Sequence, residues 1–246
     1  MIENRELVVF WGFSWIGKTE FMYFLWRKNA NKDNNVMYLN LELPANVMLE
    51  RLAKNKAGIT KYNYQIKNYT DIQIKEYEKE LKRLKNIDPL KLNLYSFKEN
   101  PDIRSICKTI RSGYDKWYRL FIIDNLGCIR WSSNENERFD VITRELQLLK
   151  NESNLSIILV HHLKKPLDSK KYSPWWPWAF RGSQKVVDNS TQLIEIWRDL
   201  DPENIDENKK EVKLLQYKDT IGGNQGYCSI WFEKWEYYEM LQDEMF

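Results

Sequence analysis

Residues 12–19 read GFSWIGKT, the pattern G-x-x-x-x-G-K-[ST], directly after the apolar, strand-forming run ELVVFW at residues 6–11. No other feature constrains the fold as tightly, because such a loop works only where a strand breaks into a glycine-bounded turn and then a helix. Glycines let backbone N–H groups wrap phosphate oxygens, and the helix N-terminus adds partial positive charge. Gly12, Phe13, Ser14, Trp15, Ile16, Gly17, Lys18 and Thr19 are therefore the candidate nucleotide-binding residues. Lys18 is expected to reach the β- and γ-phosphates, and the Thr19 hydroxyl to ligate Mg²⁺. The chain has only nine glycines, and two fall on the motif positions, so a chance match in an ordinary turn is the weaker reading. ATP and Mg²⁺ are the expected cofactors.

The rest of the chain supplies the context such a loop needs. Strand-like runs at residues 36–41, 92–97, 120–123 and 155–160 alternate with helical periodicity at 18–28, 72–84, 102–114 and 138–149. A further helix opens at Pro44, a favourable first-turn position for proline. This alternation predicts an α/β fold with a mostly parallel sheet flanked by helices. From residue 191 the pattern changes to added C-terminal strands at 192–197, 212–217 and 227–232, the last two with glycines between them as in a hairpin. No repeat, low-complexity stretch or linker divides the chain, and 246 residues suit a single domain over 1–246.

Composition narrows the function classes. A formal charge of +3 announces no nucleic-acid partner, so any basic surface must be local. Three scattered cysteines give neither a disulfide framework nor a zinc spacing, which fits a reducing cytoplasm. No apolar run reaches a membrane span, and the N-terminus enters a strand at once without a signal peptide. A cytoplasmic protein with no membrane contact is expected.

Two carboxylates stand where chemistry needs them. Asp124 ends the apolar run LFIID, the position of a magnesium-directed carboxylate beside a phosphate loop. Glu42 ends the second strand in NLELP. It suits a base that deprotonates attacking water, and equally a charge placed on a helix dipole; spacing leaves both readings open.

Several segments together resemble the RecA-type motor of hexameric replicative helicases, most of all the phage primase-helicases, then the Twinkle and DnaB-like helicases. The segments are ordered and nearly span the chain: GFSWIGKT, NLELPANVMLER, LFIIDNL, LVHHLKKP, FRGSQKVVDNSTQLIEIWRD and LLQYKDTIGGNQG. The resemblance implies a RecA-like P-loop NTPase in which Glu42 is the catalytic base and Asp124 the magnesium ligand. It implies that His162, with His161 as the adjacent alternative, senses the γ-phosphate, and that Arg51 has a counterpart after the Glu. In the family the last segment supplies an arginine finger to a neighbouring subunit. Here Lys218 is kept, as a candidate catalytic residue, while Thr220 stands where the arginine belongs. The first strand also starts about five residues in, so the linker helix that such rings use is not expected in this sequence.

Two loops after strand ends are candidate DNA contacts. One holds Arg130 and Trp131. The other holds Lys164, Lys165, Lys170 and Lys171, followed by Tyr172, Trp175, Trp176 and Trp178. Cations along a backbone and aromatic faces under bases are what holds a single strand. The aromatic cluster has an alternative reading as a hydrophobic plug or subunit contact. The leading expectation is an ATP-hydrolysing helicase-type motor on single-stranded DNA in replication; the sequence leaves open a homo-oligomeric ring or none, and a replication partner protein. The alternative is a non-catalytic, nucleotide-dependent DNA-binding or helicase-loading module; a recombinase-like filament ATPase is a third.

Overall fold

The structure is a computed structural model, and it describes residues 5–13, 16–30, 36–59, 64–86, 92–131, 135–163, 184–198, 211–220, 226–233 and 236–239. Nine strands form one sheet: β1 (Leu7–Phe13), β2 (Val36–Asn40), β3 (Leu92–Ser96), β4 (Leu120–Asp124), β5 (Ser156–Leu163), β6 (Gln192–Trp197), β7 (Glu211–Asp219), β8 (Gly226–Glu233) and β9 (Glu236–Glu239). Their order is β3-β2-β4-β5-β1-β6-β7-β8-β9. The first six in that order pair in parallel, and β7, β8 and β9 add antiparallel. Six helices are described: α1 (Lys18–Ala30), α2 (Ala45–Lys56), α3 (Asp71–Lys85), α4 (Ile103–Asp115), α5 (Glu135–Glu152) and α6 (Gln184–Asn189).

Burial on both faces explains why the central strands are apolar without alternation. Every residue of β1 is buried. Leu7, Val9 and Trp11 join the core made with α4, α5 and α6, whereas Val8 and Phe10 join the core made with α1 and α2. Local chemistry starts the helices. Thr70 and Gln73 close a capping box on α3, and the Asp102 carboxylate accepts the Ser105 N–H at 2.8 Å to cap α4. Among the described residues no helix is long and apolar enough to cross a membrane.

Three features differ from the sequence expectation. β5 runs to Leu163, so His161 and His162 lie within the strand instead of closing it, with His161 opposite Trp11 and His162 opposite Gly12. A strand's period of two sends them to opposite faces. Helix α6 and strand β9 were not anticipated; six and four residues are too few to show a period. Helix α5 begins and ends about a turn beyond its apolar stripe, because polar residues extend a helix without marking it.

Helix α4 crosses the sheet so closely that a Cβ on Gly113 would sit 2.8 Å from both Met37 Sδ and Phe121 Cε1. Gly113→Ala gains about 1 kcal/mol of helix propensity but overpacks the core by about 1–3 kcal/mol. A net loss of stability is expected in urea unfolding. Gly226→Ala, with nothing within 4 Å of its added carbon, is expected to change stability by less than about 0.5 kcal/mol.

Candidate active site

The site begins where β1 runs out. At Gly12 the neighbouring strand passes so near that a Cβ would meet the Ile196 carbonyl oxygen at 2.8 Å, which only glycine avoids. Gly17 has a φ of 100°, a left-handed conformation open to glycine at no cost, and it turns the chain into α1. Its carbonyl accepts the Phe21 N–H at 2.9 Å. Ser14 and Trp15 lie outside the described residues. Lys18 is buried, and its ammonium donates to the carbonyls of Gly12, at 2.7 Å, and Phe13. Burial pulls its pKa down to about 8, against the opposing charges of Asp124, Glu42 and Glu20.

Asp124 ends β4, and Oδ2 of its carboxylate accepts two hydroxyls, from Tyr38 at 2.7 Å and Thr19 at 3.1 Å. Oδ1 is buried with no hydrogen-bond partner among the described residues. A buried anion with one oxygen unanswered is costly, and burial raises the Asp124 pKa to about 6. The Thr19 hydroxyl beside that carboxylate completes a donor set that fits Mg²⁺, which binds few protein oxygens and takes the rest from water and phosphate.

Glu42 arrives from the neighbouring strand. The side-chain oxygen of Asn40 accepts the N–H groups of Glu42 at 3.1 Å and Leu43 at 3.2 Å, an Asx turn that bends the chain out of β2. Helix α2 is capped by Pro44, without a side-chain cap bond and with no acid in its first turn. Glu42 makes no side-chain cap bond to that helix. Its carboxylate accepts from the Asn125 amide and stands 3.6 Å from His162 Nε2. Burial, with the nearby Lys18 charge, lowers the His162 pKa to about 4, so the imidazole is neutral at pH 7. His161 turns the other way and meets the Phe139 ring edge-to-face at 5.3 Å. Of the two histidines, only His162 is shown against Glu42.

Lys18, Thr19, Glu42, Asp124 and His162 are therefore gathered at the carboxyl ends of four strands. Among the described residues, the candidates Lys218, Thr220, Arg51 and Arg130 are not. Lys218 pairs across β7 with Leu193, itself opposite Val9, so it sits roughly 10 Å short of Gly12 along the strands. Its ammonium donates to the last carbonyls of α6, Val187 at 2.6 Å and Asp188 at 3.1 Å. Thr220 lies beyond it, with its hydroxyl donating to the Thr191 carbonyl at 2.9 Å. Arg51 is exposed and pairs with Glu20. Arg130 is exposed, 3.9 Å from Asp102, and Trp131 packs partly against the core. Lys164, Lys165, Lys170, Lys171, Tyr172, Trp175, Trp176 and Trp178 lie outside the described residues. Sequence reading missed Tyr38, Asn40 and Asn125. Asn125 follows Asp124 directly and was legible in principle; Tyr38 is in mid-strand and carries no local signal.

Residues 2–236 match the family described as the DnaB-like helicase C terminal domain. No curated protein matches the sequence. Two solved structures share the fold. One is described as an ATPase domain, at 17% identity and TM-score 0.78, covering 96% of this chain and 85% of that one. The other is described as a DnaB-like replicative helicase and its interactions with primase, at 17% identity and TM-score 0.79, covering 97% of this chain and 58% of that one.

The raised Asp124 pKa predicts a pH-dependent trade between stability and ligand binding. The folded-state value of about 6 exceeds the ordinary carboxyl value of 3.8, so ionised Asp124 destabilises the ligand-free fold fully above pH 6, and the penalty fades as pH falls through that value. Asp124→Asn is expected to raise ligand-free stability at pH 8 on the order of 2 kcal/mol, with the advantage shrinking by about pH 5. Thermal melts across that range, with and without Mg·ATP, check it: the unsubstituted protein should gain more from the ligand than the variant.

Proposed function

Because the chain belongs to the DnaB-like helicase C-terminal domain family, we propose that it is a replicative helicase-type ATPase that uses hydrolysis of Mg·ATP to move along single-stranded DNA. The observation that carries this reading is the Glu42 carboxylate, held by Asn125 beside a neutral His162, on the same sheet edge as Lys18, Thr19 and Asp124. In this proposal the phosphate loop and Lys18 bind the triphosphate, while Thr19 and Asp124 hold the metal. Bound there, the metal would supply neutralisation of the charge that develops on the phosphoryl oxygens. Glu42 takes the proton of the attacking water. Asn125 fixes the orientation of that carboxylate, and neutral His162 donates a single hydrogen bond toward the γ-phosphate without adding a charge.

The basic and aromatic residues of the second loop, Lys164, Lys165, Lys170, Lys171, Trp175 and Trp176, together with Arg130, belong to the proposed DNA contact. Assembly with further copies and with a replication partner is also part of the proposal; one structural relative is described with primase. Glu42→Gln should keep Mg·ATP binding and lose about a hundredfold in turnover. Steady-state ATPase with and without single-stranded DNA tests the whole reading: DNA stimulation supports a motor, and tight ATP binding with negligible turnover overturns it in favour of a loading or binding module.

The distance of Lys218 and Thr220 from their own phosphate loop supports a role for that edge toward a neighbouring copy. The Lys218 ammonium already satisfies helix carbonyls, and Thr220 is exposed. Thr220→Arg is expected to raise ATPase where subunits associate, and dilution should abolish the gain because a finger given in trans needs a neighbour. Measuring turnover over a range of protein concentrations checks this; a gain that survives dilution assigns the arginine to its own subunit.

A further inference from the structure

Tyr38 lies in the middle of β2 and is completely buried. Its ring stacks on Tyr23 at 5.3 Å and meets the edge of Trp26 at 5.9 Å, both from α1, the helix that opens with Lys18 and Thr19. Phenylalanine would fill this space equally well, so packing alone does not account for the hydroxyl. A buried hydroxyl needs a partner, and the partner here is Asp124 Oδ2 at 2.7 Å. Asp124 is two residues beyond Ile122, which stands opposite Tyr38 in the parallel register, so the contact is a diagonal one across neighbouring strands.

We propose that Tyr38 is a positioning residue for the metal site: its hydroxyl, clamped by the aromatic stack, fixes the rotation of the Asp124 carboxylate so that Oδ1 faces the cation. This rests on the ATPase reading above. A carboxylate at a strand end swings about two torsions, and ordered ligation requires that both be held. Oδ2 receives hydroxyls from two directions, Tyr38 in β2 and Thr19 in α1, which ties it down and leaves Oδ1 as the carboxylate oxygen without a hydrogen bond among the described residues. The same contact links the helix carrying the phosphate loop to the strand leading to Glu42, so the metal ligand is set by the two elements that frame the triphosphate.

Tyr38→Phe removes the hydroxyl and keeps the stack. The test is equilibrium binding of a fluorescent ATP analogue, titrated with Mg²⁺ and repeated in EDTA. The half-saturating Mg²⁺ concentration is expected to rise about tenfold with metal-free nucleotide affinity unchanged, while loss of a hydrogen bond to a buried charge lowers the ligand-free melting temperature. In an Asp124→Asn background, Tyr38→Phe should have no further effect on nucleotide binding, because its influence runs through that carboxylate. Equal half-saturation in the two proteins overturns the proposal, as does an effect of equal size in EDTA or in the Asp124→Asn background, which would mark a packing role. If the unsubstituted protein itself shows no response to Mg²⁺, the ATPase reading falls and this one falls with it.

Discussion

A single buried carboxylate joins the parts of this molecule. Asp124 ends β4 in a place where water does not reach, and its charge is held by the hydroxyls of Thr19 from α1 and Tyr38 from β2. Together the two hydroxyls do not fully answer it, since one oxygen stays without a hydrogen bond among the described residues and the pKa is driven up to about 6. A sheet that only had to be stable would bury an apolar residue there. Retaining the charge means that the ligand-free fold carries a penalty, which the proposed metal would relieve.

The sheet makes that placement attainable. Parallel strands covered on both faces put all their carboxyl ends at one edge, and every loop leaving that edge can contribute to a common site. β1 lies between β5 and β6, which brings His162 opposite Gly12 on one side and Ile196 against it on the other. β4 lies between β2 and β5, which puts Glu42 and His162 together beside Asn125. The antiparallel strands β7, β8 and β9 lie beyond β6 and take no part in the described cluster. They carry Lys218 and Thr220 away from it, where both side chains donate to backbone carbonyls of the local fold.

Charge is distributed around the site by burial as much as by residue type. Lys18 is held down to about 8 and so keeps its proton at neutral pH, whereas His162, held to about 4, has lost its own. Within the described cluster Lys18 is thus the cation beside Asp124 and Glu42, and His162 stands next to Glu42 as a neutral imidazole.

How much of this was legible in the chain follows from the range over which each interaction acts. The phosphate loop was readable because strand, glycine turn, lysine and threonine are contiguous, and contiguity fixes their geometry. The parallel α/β architecture was readable because burial on both faces writes itself as unbroken apolar runs between helices. Asp124 was readable as the end of such a run. That the Glu42 carboxylate meets the Asn125 amide was not, because the two stand 83 positions apart in the sequence. His161 and His162 were equivalent until pairing with β1 continued the strand through both and sent them to opposite faces. Tyr38 was invisible: in the sequence it is one more aromatic strand residue, and only the register of β2 against β4 brings its hydroxyl to Asp124. Local chemistry determined which groups the chain carries, and the pairing of distant strands decided which of them meet, since hydrogen bonds across a sheet join residues that share no neighbourhood along the chain.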